Sequence, residues 1–75
     1  MTDYVTVKTL RHDFGRSNFV QVQRLHLRDD HTKTTFLAIT RGFVDKHGED
    51  RHERFVTMPD EPDVRAWLAN ALREF

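Results

Sequence analysis

Five histidines among twelve Asp and Glu give this 75-residue chain its most obvious metal-binding potential. His47 and His52 share one loop with Glu49, Asp50 and Glu53. Their spacing matches no compact zinc pattern, because no helix sets the ligands and no cysteine supplies a thiolate. The loop reads as solvated charge, and no metal is expected. His26, between Leu25 and Leu27, reads as a strand residue facing water or a neighbouring strand. Nucleophilic chemistry is no better served. Ser17 is the only serine, and no histidine–acid motif lies around it to activate its hydroxyl. Gly15, Gly42 and Gly48 are isolated, so there is no glycine-rich loop to cradle a phosphate. Paired carboxylates need a cleft, and a small sheet with one helix offers little concavity. The expectation is a non-enzyme that needs no cofactor.

The cationic and aromatic side chains are better placed for a function. Alternate residues of a strand point the same way. Lys8 then shares a side with Tyr4 and Thr6. Arg24, His26 and Arg28 share a side of a second strand, and Arg41 sits two residues before Phe43 on a third. A turn after the first strand adds Arg11, Phe14 and Arg16. A sheet that mixes Arg and Lys with Phe, Tyr and His suits a single strand of nucleic acid. Bases stack on rings and guanidinium planes while cations meet phosphates. Duplex readout is disfavoured, since no helix offers a basic face to the major groove. The plainer reading of the same residues is solvated surface and edge protection, with Phe43 and Tyr4 in the core.

The elements that must hold these side chains are legible from periodicity. Val64, Trp67, Leu68, Ala71, Leu72 and Phe75 fall on one helical stripe, which predicts a helix over about 61–74. Asp60 is the expected cap, with Asp63 three residues on, and Pro62 suits the first turn. Burial of the stripe would contribute on the order of 10 kcal/mol before entropy. Upstream, β-branched alternation predicts strands over about 4–10, 19–28, 34–44 and 53–58. Turns are expected at 11–18 around Gly15, at 29–33, and at 45–50 around Gly48. In the second strand Val20 and Val22 share one face and Leu25 and Leu27 the other. A bulge near Gln23 and Arg24 is the expected reconciliation. The order β-β-β-β-α defines an α+β domain, an antiparallel meander followed by one amphipathic helix.

Length and charge bound the rest. Residues 1–75 are one domain, too small to bury much more than about 60% of the unfolded surface. Without cysteines no disulfide offsets that shortfall, so oligomerisation, most simply a homodimer, is expected. No run of 18 or more apolar residues exists to span a membrane. The first residues lack the pattern of a signal peptide. The absence of cysteine fits a cytoplasmic protein, nucleoid-associated if it binds DNA. Net charge is zero, which speaks against a purely electrostatic nucleic-acid binder. Residues 1–58 carry ten Lys and Arg against eight Asp and Glu, whereas 59–75 carry two against four. The basic excess thus lies on the sheet and the acidic excess on the helix.

The stretch Arg54-Phe55-Val56-Thr57-Met58-Pro59-Asp60-Glu61, then Val64, Trp67 and Leu68, joins a basic residue, a short strand, an acidic helix start and an aromatic anchor. With the opening strand Tyr4–Leu10, the basic turn at Gly15, and Ile39-Thr40-Arg41-Gly42-Phe43, it resembles the positive cofactor four family. That family is the single-strand-binding domain of a transcriptional coactivator and its bacterial and archaeal relatives. The resemblance runs over nearly the whole chain, although Phe55 stands where the family has glycine. The Arg41–Phe43 spacing is also one residue shorter, and the first turn has His and Asp in place of lysines. The resemblance implies a dimer with helices packed across the two-fold and sheets forming two channels for single strands. It implies contacts from Lys8, Leu10, Arg11, Arg16, Arg41, Phe43, Lys46 and Arg54. Phe14 and Arg24 join them from the strand pattern. The implied function is low-specificity binding of single-stranded DNA or RNA, in transcription or DNA maintenance.

The rival expectation is a protein-interaction module that uses the helix or a strand edge. Trp67 and Phe75 serve an interface as well as a core. Clustering separates the two. Convergence of Lys8, Arg16, Arg24, Arg41 and Arg54 on one concave surface favours nucleic acid. Interleaving with Asp3, Asp13, Asp29 and Glu53 favours a protein partner.

Overall fold

A computed structural model describes residues 4–28 and 34–75. The strands are β1 (Tyr4–Phe14), β2 (Asn18–Leu27), β3 (Thr35–Val44) and β4 (Asp50–Pro59), followed by the helix α1 (Pro62–Leu72). They pair antiparallel in the order β1-β2-β3-β4, the expected meander. The turn expected at 29–33, and with it Asp29, lies outside the described residues, as does Asp3.

Two strands run further than alternation suggested. β1 continues through Arg11, His12 and Asp13 to Phe14, so the turn shrinks to Gly15–Ser17. Gly15 takes φ 63°, the left-handed geometry that glycine adopts without steric cost. β4 starts at Asp50, where Asp50 and Arg51 pair with Val44 and Phe43. Asp45 closes the turn before it. Its carboxylate accepts the N–H of His47 at 2.8 Å and of Glu49 at 3.0 Å. Chiefly the Glu49 N–H, then the Arg51 side chain, hold that carboxyl below its ordinary value.

The sheet curls. Arg11 on one edge strand reaches Asp50 on the opposite edge strand at 2.7 Å. In a flat sheet those edges stand about 14 Å apart. The curl encloses Phe19, which has 0% of its surface exposed. The Arg11 guanidinium lies 4.0 Å from the ring centre, and His52 meets the ring edge-on at 5.7 Å. Gly42 makes the room. A Cβ there would stand 2.5 Å from the Phe19 ring and 2.4 Å from the Arg51 carbonyl oxygen. Ala38 and Thr40 are buried on the same inner face, as their register with Gln23 and Gln21 requires.

Register assigns the remaining side chains. β2 pairs with β3 without irregularity, so the bulge expected near Gln23 and Arg24 is absent. Val20 and Val22 face outward while Leu25 and Leu27 face inward, because this strand places apolar groups on both faces. The irregularity lies instead between Thr6 and Lys8. It puts Lys8 on the outer face, opposite to Tyr4 and Thr6, with which plain alternation grouped it. A second irregularity, beside Arg41 and Gly42, aligns Arg54 with Arg41 and His52 with Gly42, leaving Glu53 without a register partner.

α1 packs on neither face. Pro62 opens it as expected, but Glu61 is the N-cap and makes no side-chain cap bond. Asp60, the expected cap, is engaged elsewhere. The Thr35 hydroxyl donates to it at 2.6 Å, and Arg24 and Arg65 approach at 2.7 and 3.2 Å. The stripe expected to be buried stands open, with Trp67 70% and Leu72 65% exposed. The burial energy assigned to it is therefore not realised within one chain. The radius of gyration is 14.2 Å, against about 11 Å for a compact domain of this length. No helix among the described residues is long and apolar enough to cross a membrane.

Candidate nucleic-acid interface

The outer face is built from rows of side chains aligned across the four strands. Nearest the helix is Val5–His26–Thr35, on three strands, followed by Lys8–Arg24–Leu37–Met58 and Leu10–Val22–Ile39–Val56. Beyond them lie His12–Val20–Arg41–Arg54 and then Phe14–Asn18–Phe43–Arg51. The face therefore has two halves. The half near α1 is mainly apolar, and the half near the hairpin turns carries rings and cations. No register-paired position on this face holds a carboxylate. The acids of the strands sit elsewhere, with Asp13 aligned to Phe19 and Asp50 bonded to Arg11 on the inner side.

Chain neutrality thus conceals a sorting of charge between faces. Lys8, Arg16, Arg41, Lys46 and Arg54 have no ion pair among the described residues. An unpaired, hydrated cation gives up no internal partner when it meets a phosphate. Arg16 and Lys46 lie in the β1–β2 and β3–β4 turns, at the same end of the sheet as Phe14 and Phe43. A bond from the Val44 N–H to the Ser17 carbonyl, 2.7 Å, ties the ends of these two hairpins together. Six of the residues expected to bind nucleic acid thereby meet at one end: Phe14, Arg16, Arg41, Phe43, Lys46 and Arg54. Lys8 and Leu10 share the face but sit in its apolar half.

Two expected contacts are placed differently. Arg11 is on the inner face, where it bonds Asp13 at 3.0 Å and Asp50 at 2.7 Å. Those bonds, the one to Asp50 first, raise its already high pKa and leave it committed to the sheet's own closure. Arg24 is on the outer face but is paired with Asp60, whose side chain is only 6% exposed. The Thr35 hydroxyl, first, and then Arg24 and Arg65 hold the Asp60 carboxyl below its ordinary value, against the opposing effect of burial. Asp60 so joins β2, β3 and α1 at one point.

Tyr4 also falls outside the cluster. It packs edge-on against Phe36 at 5.4 Å on the inner face. A residue the sequence reading passed over joins it instead. His12 lies beside Phe14 with ring centres 6.4 Å apart and planes 13° from parallel. The signal was present as i, i+2 spacing, in a segment read as turn.

No family model matches this chain, and neither does any curated protein or solved structure.

Three exposed cations, Arg16, Arg41 and Arg54, with Lys46 beside them, border the rings of His12, Phe14 and Phe43. Such a surface attracts a polyanion and offers π faces to its bases. The convergence expected for nucleic acid is met only in part: Arg16, Arg41 and Arg54 gather at one end, but Lys8 lies in the apolar half, Arg24 is held by Asp60, and the face is the outside of the curl rather than a concave surface. No group of three or more His, Asp or Glu among the described residues is placed to hold a metal ion.

Proposed function

We propose that this domain binds single-stranded nucleic acid, with little sequence preference, on the hairpin end of its outer face, and that it does so as a homodimer. The observation that carries this reading is the segregation of charge. In a chain of zero net charge, the register-paired positions of one sheet face carry no carboxylate, and although Arg24 and Arg51 on that face are held by Asp60 and Asp45, Arg41 and Arg54 have no ion pair among the described residues. Capture begins with Arg16, Arg41, Lys46 and Arg54 at the phosphates. Bases then stack on Phe14, His12 and the exposed edge of Phe43, each contributing about 1–3 kcal/mol. Readout of base edges is not part of the reading, so affinity follows strand flexibility rather than sequence. The domain acts by binding and not by catalysis. Transcription and DNA maintenance are the settings the family resemblance implies.

The test is fluorescence anisotropy of a labelled oligo-dT of about twenty nucleotides, with a duplex control, across a salt series. Single-strand preference with affinity that weakens with salt supports the reading. Absence of binding at low salt removes it. One observation favours a protein partner instead, namely the open apolar stripe of α1. Under that reading the outer-face cations only solubilise the sheet, and the oligonucleotide stays free at all salt concentrations.

A further inference from the structure

The chain by itself leaves too much apolar surface in water. Its accessible area is 6373 Å², whereas a compact monomer of 8.9 kDa exposes about 4,800 Å². The excess, about 1,500 Å² per chain, is the area an obligate dimer removes from each partner. Two surfaces contribute large parts of it, beside single exposed groups such as Phe55 and Tyr4 on the inner face. One is the α1 stripe around Trp67 and Leu72. The other is the outer-face row Leu10–Val22–Ile39–Val56, in which Leu10 is 61% and Val56 54% exposed.

The two surfaces cannot meet within one chain. Only Asp60 and Glu61 separate Pro59 at the end of β4 from Pro62 at the start of α1. Proline fixes φ on both sides of that link. The buried Asp60 carboxylate further anchors the first turn through Arg65 while holding Arg24 and Thr35 of the sheet. The helix therefore leaves the sheet at a set angle instead of folding back over it.

We infer that α1 of a second copy lies across the apolar half of the outer face, and that the exchange is reciprocal about a two-fold. This rests on the dimeric part of the function proposed above. The dimensions agree. Eleven helical residues span about 16 Å, and the four strands span about 14 Å from first to last. A helix about 10 Å wide covers about two rows, since same-face positions along a strand recur every 6.7 Å or so. It fills the apolar rows and leaves the Arg41–Arg54 and Phe14–Phe43 rows open. Charge agrees as well. With Asp60 already engaged in its own chain, residues 59–75 still carry Glu61, Asp63 and Glu74, and the face they cover offers Lys8, which has no ion pair among the described residues. The arrangement differs from helices packed on each other across the two-fold, because each stripe meets a sheet.

The test uses the absence of native cysteine. Val56→Cys and Leu72→Cys, both at exposed positions, are made singly, and the two chains are co-expressed with different mass tags. Light scattering gives the mass of the assembly, circular dichroism confirms folding, and mild oxidation followed by mass spectrometry identifies the disulfides. The expected result is a mass twice that of one chain, with the mixed disulfide, one thiol from the Val56→Cys chain and one from the Leu72→Cys chain, predominating over both like pairs. A single-chain mass overturns the dimer and the exchange together. A dimer that forms only the like Leu72→Cys pair keeps the dimer and overturns the exchange, placing helix against helix.

Discussion

The two faces of this sheet solve the same composition in opposite ways. The inner face closes on itself. Arg11 crosses from edge to edge to Asp50 and caps the ring of Phe19 at the hairpin end, while Phe55 and Tyr4 further along the same face stay exposed. The outer face leaves Leu10, Val56 and the guanidinium groups of Arg41 and Arg54 in water. A chain of 75 residues cannot supply two cores. Most of its small core, Phe19, Ala38 and Thr40, faces inward, and Leu37 is the buried apolar residue of the outer face among the described residues. The comparison also shows that charge must be counted by face. Counting by segment, sheet against helix, gives a weak imbalance, whereas counting by face finds the cations without ion pairs among the described strand residues, Lys8, Arg41 and Arg54, all on the outer side, beside the paired Arg24 and Arg51.

The comparison breaks most directly at Phe19. Phe19→Ala empties the enclosed site and should cost about 3–5 kcal/mol, close to the whole stability of a domain this size. Denaturant unfolding followed by circular dichroism reads the loss, and a loss below about 1 kcal/mol denies that the inner face is the core. Gly42→Ala should also destabilise by the same readout, since its methyl group meets the Phe19 ring and the Arg51 carbonyl.

The outer face breaks differently. Arg41→Ala with Arg54→Ala should leave the unfolding curve in place and lower the salt slope of single-strand binding by about 1.4, two phosphates at roughly 0.7 each. Phe43 is half-buried, so an Arg41→Ala, Phe43→Ala pair should weaken binding further with a modest loss of stability.

Acid provides a finer probe. Asp45, Asp50 and Asp60 all have carboxyl pKa values lowered by folding from the ordinary 3.8. A lowered folded-state value means that the unfolded chain binds the proton more readily. Their stabilisation is present above pH about 4 and is lost as pH falls through the folded-state values. Asp60→Asn removes one of the three, so its stability should fall less steeply than the wild type's below pH about 4. Parallel curves would show that Asp60 does not sense its charged neighbours.

Much of the fold was legible in the sequence. The 3.6-residue stripe of Val64, Trp67 and Leu68 and the β-branched alternation in β1 and β3 report local periods, and the glycines at 15 and 48 mark real reversals. What escaped was non-local. The shift at Thr6–Lys8 depends on how β1 seats against β2, and it alone decides the face of Lys8. Arg11, His12 and Asp13 read as turn because they are polar, yet an ion pair to a strand 39 residues away keeps them in β1. The two-faced pattern of β2 suggests a bulge only for a strand with one apolar face, and β2 has apolar groups on both. Periodicity gave the stripe on α1 but not its partner. The candidate site followed the same divide. Arg41 and Phe43 were legible as neighbours on one strand, whereas the exclusion of Arg11 and the inclusion of His12 needed the register.

The most direct test sets one face against the other in a single assay. Oligo-dT anisotropy is measured at low and moderate salt for the wild type, for the Arg41→Ala, Arg54→Ala pair, and for Arg11→Ala. The expected result is weaker binding and a shallower salt slope for the outer-face pair, and unchanged binding for Arg11→Ala in protein that remains folded. Equal losses from both faces, or loss from Arg11→Ala alone, would contradict an outer-face site.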